Sequence, residues 1–195
     1  MLFGGLTGGL ELRRAGDGTT RLRGRFPYGA PTTLWDGGRT GRARREVFAP
    51  RAFAPRIDGG AEVHLLVGHD FDRPLASRSA GTLDLEDSEE GLAFEARLAP
   101  QLGDVPYVRN FLGALEAGLI RGLSPGFRIA PRDGAEEVRE EPGGILRTVR
   151  AAELYELSAV TVPAYSQAQV EARTWTPGAP PPDRGLMRAL TRWRA

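Results

Sequence analysis

The sequence predicts a mainly β, α+β fold, and three observations carry that prediction. Short runs of alternating apolar residues recur along the chain, separated by Gly, Pro and Asp turn signals. Only one stretch, residues 105–119, has strong helical periodicity. No apolar run approaches the ~20 residues of a membrane-spanning helix. A chain of 195 residues can bury one proper core and still carry a short appendage.

Residues 10–14 and 20–26 read as two strands around the turn Gly16-Asp17-Gly18. Residues 27–41, rich in Gly, Pro and Thr, read as loop, and the four Arg between 39 and 45 as its solvated face. Val47, Phe48, Phe53 and Ile57 suggest the apolar side of a short helix interrupted by Pro50 and Pro55. Residues 61–69 alternate as a core strand, with Val63, Leu65, Val67 and His69 on one face and His64 on the other. Residues 70–74 should then turn the chain. Leucines and Phe94 alternate on either side of residues 86–91, giving a hairpin with an acidic, solvated tip.

Val105, Val108, Phe111, Leu112, Leu115 and Leu119 predict the one substantial helix, capped by Asp104 with Pro106 in its first turn. A strand over 123–129 follows, then a hairpin of 136–141 with 145–149 about Pro142-Gly143-Gly144. The last core strand spans 154–162, with Glu156 on the face of Leu154, Ser158, Val160 and Val162. From Thr174 the composition turns to Pro and Gly, a linker leading to a short basic helix over 185–195. With five Arg and one Asp, the stretch from Arg173 carries +4 and leaves −3 for the body, unlike a dedicated nucleic-acid binder.

The chain has no cysteine, which excludes disulfides, thiol catalysis and cysteine metal sites. All its Lys and Arg positions are Arg, so lysine is no candidate base. With only two histidines, predicted on opposite faces, neither a metal centre nor another cofactor is expected.

Chemistry concentrates at Gly122-Leu123-Ser124-Pro125-Gly126-Phe127. A serine between glycines can be approached closely, as a nucleophile must be, and it needs a base. His69, at a strand end, is suited to that role, since imidazole has an unperturbed pKa of ~6.5. Glu156 in an apolar strand needs a partner, either an Arg that it pairs with structurally or a histidine that it holds. Backbone N–H groups near Gly126 and the side chain of Arg128 are candidate oxyanion donors. Asp70 is the other carboxylate close to His69 in sequence.

Several short motifs occur in a distinctive order. They are residues 45–53, Gly68-His69-Asp70 with Arg73-Pro74-Leu75, Glu90-Gly91-Leu92, Gly122 to Phe127, and Leu154-Tyr155-Glu156-Leu157-Ser158 with Val162-Pro163-Ala164. Together, over residues 21–172, they resemble the prohead maturation proteases of tailed phages. Gly68 stands where Asn is common, Ala76 where Gly is usual, and Pro125 where a β-branched residue is frequent.

The resemblance implies a mostly antiparallel β-barrel with a few packed helices, like that of the herpesvirus assemblins. It implies a serine endopeptidase with Ser124 as nucleophile, His69 as base and Glu156 as third member. The enzyme would work inside the immature capsid in the host cytoplasm, cleaving scaffold segments from the major capsid protein and cleaving itself. By analogy the fold suggests a homodimer, with no nucleic-acid or membrane partner. Residues 1–20 would be an N-terminal extension or edge strand, 21–172 the protease domain, and 173–195 a Pro-rich linker and basic tail, of which self-cleavage should remove some or all of 185–195. A non-enzymatic β-barrel serving as a capsid-assembly scaffold is the alternative.

Overall fold

The computed structural model describes residues 10–14, 19–39, 41–120 and 122–161. Over these the chain builds three four-stranded sheets and two α-helices. The mainly β expectation holds. Among the described residues, none of the three sheets closes into a barrel.

The first sheet runs β1 (Leu10–Arg14), β2 (Thr20–Pro27), β8 (Gly91–Leu98), β7 (Leu83–Asp87), all antiparallel. Two of the three predicted hairpins are here; the 16–18 turn itself lies outside the described residues. The second sheet runs β10 (Glu136–Glu141), β11 (Gly144–Val149), β4 (Ala43–Phe48), β3 (Thr32–Trp35). Its central pair, β11 with β4, is parallel. Two expectations fail in this sheet. Thr32–Trp35, read as loop, is an edge strand, and Val47 and Phe48 belong to β4 rather than to a helix.

The ladder sets Arg147 opposite Glu46 on these parallel strands, and the two form a fully buried ion pair. Arg147 also pairs with Glu136. Burying both charges is tolerable only because each satisfies the other. Two arginines of the 39–45 cluster follow a similar logic nearer the surface, where Arg42 meets Glu140 and Arg45 meets Glu141.

The third sheet, β6 (Asp70–Ser77), β5 (His64–Val67), β12 (Ala152–Val160), β9 (Gly122–Ile129), holds the candidate site. β12 runs parallel to β5 and antiparallel to β9. Leu154, Leu157, Leu65 and Leu123 turn into the core, where Phe127 meets Phe48 edge-on at 5.0 Å and Phe53 packs against both. Two helices flank this core. α1 (Ala54–Ile57) is one turn, with Pro55 in its first turn and Ile57 buried. α2 (Pro106–Glu116) presents Val108, Phe111 and Leu115 inward, as predicted. Its N-cap is Val105, with no side-chain cap bond, because Asp104 belongs to the preceding 3-10 turn over Pro100–Asp104.

The β7–β8 tip is not wholly solvated. Glu89 and Glu90 are exposed, but Asp87 is buried and accepts a 2.6 Å hydrogen bond from the Tyr28 hydroxyl. Its second oxygen has no hydrogen-bond partner among the described residues. Burial pushes the Asp87 carboxyl above its ordinary range, against the opposing pull of Tyr28 and Arg51. The folded protein therefore binds this proton more tightly than the unfolded chain does. Stability from this group is full below the ordinary carboxylate pKa of ~3.9 and is lost as pH rises through the folded value. Asp87→Asn should remove that slope. Urea midpoints at pH 4 and pH 8 should shift in favour of the variant as pH rises, and parallel pH curves would exclude the effect.

Candidate active site

The site is built where β5 turns into β6. The sequence suggests a strand through His69 and a turn after it. The chain instead turns at Gly68 and His69, with φ of 66° and 63°, and pairs Val67 with Asp70 across the gap. Two consecutive positive φ values are those of a tight type I′ hairpin, whose twist matches the strands it joins. Glycine meets that demand freely, as Asn would, so Gly68 in place of Asn leaves the turn intact. For His69 the same conformation is uncommon and needs surrounding support.

That support comes from β12. Gly68 N–H donates to the Ala159 carbonyl at 3.1 Å, and His69 N–H donates to the Ser158 hydroxyl at 2.9 Å. The turn also redirects the ring. His69 does not continue the strand's alternation. Its Nδ1 lies 2.7 Å from Glu156 Oε1, although the register partner of Glu156 on β5 is His64. His64 makes only a 4.0 Å approach to Glu62 and an edge contact with Phe71.

Glu156 does not share a face with Leu154, contrary to the simple alternation. Opposite β9, Leu154 pairs with Phe127 and Glu156 with Gly126, adjacent residues that point to opposite faces. The extra residue is Tyr155, which makes the strand bulge. Its ring is covered by Arg56 at 4.1 Å and Arg128 at 5.2 Å, and its hydroxyl donates to Glu153. The bulge lets Leu154 and Leu157 both enter the core while Glu156 and Ser158 face the other way.

Glu156 is 3 % exposed. Its carboxylate accepts two hydrogen bonds, from His69 at Oε1 and from the fully buried Ser158 hydroxyl at Oε2, 2.6 Å away. An ionised carboxylate only accepts, so in this contact Nδ1–H is the donor, and a neutral ring in that tautomer has its lone pair on Nε2. The imidazole side chain is 25 % exposed, against 5 % for Glu156, which places the histidine at a rim and its carboxylate beneath. Asp70 is committed elsewhere, 3.1 Å from Arg73 and accepting from the Asp72 N–H.

Ser124 stands on β9 directly opposite Ser158, two residues from Gly126, and so shares the face of Glu156. It is 4 % exposed. Pro125 between them lies on the sheet's edge strand, where a missing N–H is tolerated. Gly126 has a use that the sequence did not suggest. A Cβ there would lie 1.9 Å from Glu156 Oε1, so its hydrogen makes room for the carboxylate rather than for an approaching substrate. Arg128 lies over Tyr155, beyond the bulge. The structure thus brings His69 and Glu156 into contact and sets Ser124 on the same sheet face. Ser158, which links them, was missed, although it sits two residues from Glu156 in a strand, the spacing that shares a face.

A serine on the same sheet face as a buried carboxylate that holds a histidine is the equipment of hydrolases that use a hydroxyl nucleophile. Residues 27–178 match the family model of caudovirus prohead serine proteases, and the chain belongs to that family. It is a serine protease of capsid maturation, which sets aside the non-enzymatic scaffold. No curated protein and no solved structure matches the chain.

The close fit at Gly126 gives a test that needs no substrate. The obstacle to a methyl group is a side chain, not backbone, so Gly126→Ala should fold with a cost of about 1–3 kcal/mol. It should nevertheless displace Glu156 from His69. The downfield proton signal expected for an imidazole Nδ1–H bonded to carboxylate should vanish in the variant, and its persistence at the wild-type position would contradict this geometry.

Proposed function

We propose that the chain is a serine endopeptidase in which Ser124 is the nucleophile, His69 the general base and Glu156 the residue that orients and charges His69. The observation that carries the reading is the 2.7 Å bond between His69 and Glu156 on the sheet face that Ser124 shares. Ser124 Oγ attacks the scissile carbonyl while His69 Nε2 takes its proton. The resulting imidazolium is stabilised by the carboxylate behind it, and the same proton then passes to the departing amine. For the oxyanion, the reading keeps the two donors named from the sequence, the backbone near Gly126 and the Arg128 side chain. The second would first have to leave the ring of Tyr155.

In this reading the substrate is the scaffold segment of the major capsid protein, cut inside the prohead within the host cell, and the protease also cuts itself. The Pro-rich segment after Thr174 supplies the cleavage region, and some or all of residues 185–195 is removed. These residues lie outside the described part of the chain, as does Val162-Pro163-Ala164. Co-assembly with the major capsid protein of the same genome, followed by intact-mass measurement, tests both cleavages. Full-length masses for protease and capsid protein after maturation exclude them. The active form is proposed to be a homodimer, which a monomer mass for active enzyme in sedimentation would exclude.

Two sets of variants test the roles. An alkyl fluorophosphonate should label the wild-type protein and leave a folded Ser124→Ala variant unlabelled. His69→Ala should slow labelling by roughly 10²–10⁴-fold, the usual worth of a positioned base. Full labelling of Ser124→Ala would sink the nucleophile.

Glu156→Gln removes the charge and keeps the shape. Its labelling should fall, but less completely than that of His69→Ala, with the melting temperature little changed. A collapse in melting temperature with normal labelling per folded molecule would make Glu156 a purely structural residue.

A further inference from the structure

We propose that Ser158 is a positioning residue of the active site, whose hydroxyl binds the Glu156 carboxylate and the His69 backbone into one unit. The inference rests on the reading of Ser124 and His69 above and adds a fourth side chain to it. Ser158 is fully buried, and its Oγ is used in both directions. It donates to Glu156 Oε2 at 2.6 Å and accepts from His69 N–H at 2.9 Å.

Each bond removes one freedom that the pair would otherwise have. A carboxylate on a glutamate can rotate about its last torsion, which is broad rather than staggered. With Oε2 held by Ser158, Oε1 is the oxygen left for Nδ1, and the plane of the group is fixed. The bond is charge-assisted and short, of the stronger class. On the other side, His69 sits at φ 63°, a conformation that needs support. Its N–H could not stay unpaired in a part-buried turn without cost. Ser158 satisfies that donor and so ties the strained turn to the same atom that orients the carboxylate. Moving either end moves the other.

The arrangement also separates two serines that face each other across the β9–β12 ladder. The Ser158 proton is committed to Glu156, and its hydroxyl has no access to solvent. That leaves Ser124 as the hydroxyl of this pair that is not committed to Glu156.

The test measures the rate of labelling by an alkyl fluorophosphonate. In that reaction the Ser124 Oγ–P bond forms, the P–F bond breaks, fluoride leaves, and the serine proton passes to His69. Ser158→Ala should label about 10–100-fold more slowly, the usual cost of losing a supporting partner. A structural role alone would be indifferent to the carboxylate. The decisive comparison is therefore Ser158→Ala made in the Glu156→Gln background, where it should slow labelling several-fold less than in the wild-type background, because the bond to the charged carboxylate is already gone and only the tie to the His69 N–H is left to lose. Ser158→Thr and Ser158→Val have matched shape and differ in the hydroxyl, so Thr should label close to the wild-type rate and Val slowly. This pair keeps the test available if the alanine variant does not fold. Wild-type labelling by Ser158→Val, or equal slowing by Ser158→Ala in both backgrounds, overturns the proposal. Labelling that survives Ser124→Ala is a separate failure, read on a different variant, and overturns the nucleophile assignment on which this proposal depends.

Discussion

A carboxylate that is 3 % exposed must find donors, and much of this fold serves to bring two of them to Glu156. One comes from the strand that carries it, through Ser158, and the other from the turn beyond the neighbouring parallel strand, through His69. The parallel pairing of β5 with β12 is what makes this possible. It places the end of β5 level with the end of β12, so that a turn leaving β5 can fold its ring back over Glu156. An antiparallel neighbour joined by a tight hairpin would put its turn at the same end but leave no second hairpin for the histidine. The parallel pair in turn requires a long connection, and residues between β5 and β12 build much of the rest of the molecule.

The third strand, β9, completes the arrangement by what it lacks. Gly126 leaves the space that the Glu156 carboxylate fills, and Pro125 takes an edge position that needs no complete ladder. Ser124 is thereby set on the face of the carboxylate by register alone, opposite Ser158. The same glycine that looks in the sequence like an access point for substrate is a packing requirement of the charged group. A contrast lies in the second sheet, where Arg147 and Glu46 also bury opposite charges on paired parallel strands. There both partners are closed off from solvent. In the candidate site the histidine stays at the rim, which a group exchanging protons with a substrate requires.

Much of this was legible in the sequence. Alternation and turn residues placed the hairpins of β1–β2, β7–β8 and β10–β11, and helical spacing placed α2. Two kinds of feature were not legible. Where a charged side chain occupies a strand position, as in β4 with Arg44, Arg45 and Glu46, the apolar pattern is masked, because the inward polar groups satisfy each other across strands. Where the backbone departs from alternation, face assignments invert. The bulge at Tyr155 moved Glu156 off the face of Leu154, and the type I′ turn at Gly68-His69 sent the histidine where no strand periodicity would put it. Both departures carry site residues, which is where local rules are expected to yield to function.

That the histidine stands on a positive-φ turn has a consequence for how the site behaves as a unit. A residue at the end of a regular strand would be held by ladder bonds on both sides and would tolerate loss of any one. His69 is held at its backbone by the Ser158 hydroxyl and at its ring by Glu156, and Ser158 and Glu156 are bonded to each other. The three bonds close a small cycle. Cycles of charge-assisted bonds in a poorly solvated setting are cooperative, each bond restricting the geometry that the next requires. The imidazole is thereby held in one orientation, and under the proposed mechanism little reorganisation would remain for the reaction to supply. The strain of the turn and the burial of the carboxylate are both unfavourable alone, and the cycle makes each the condition for the other.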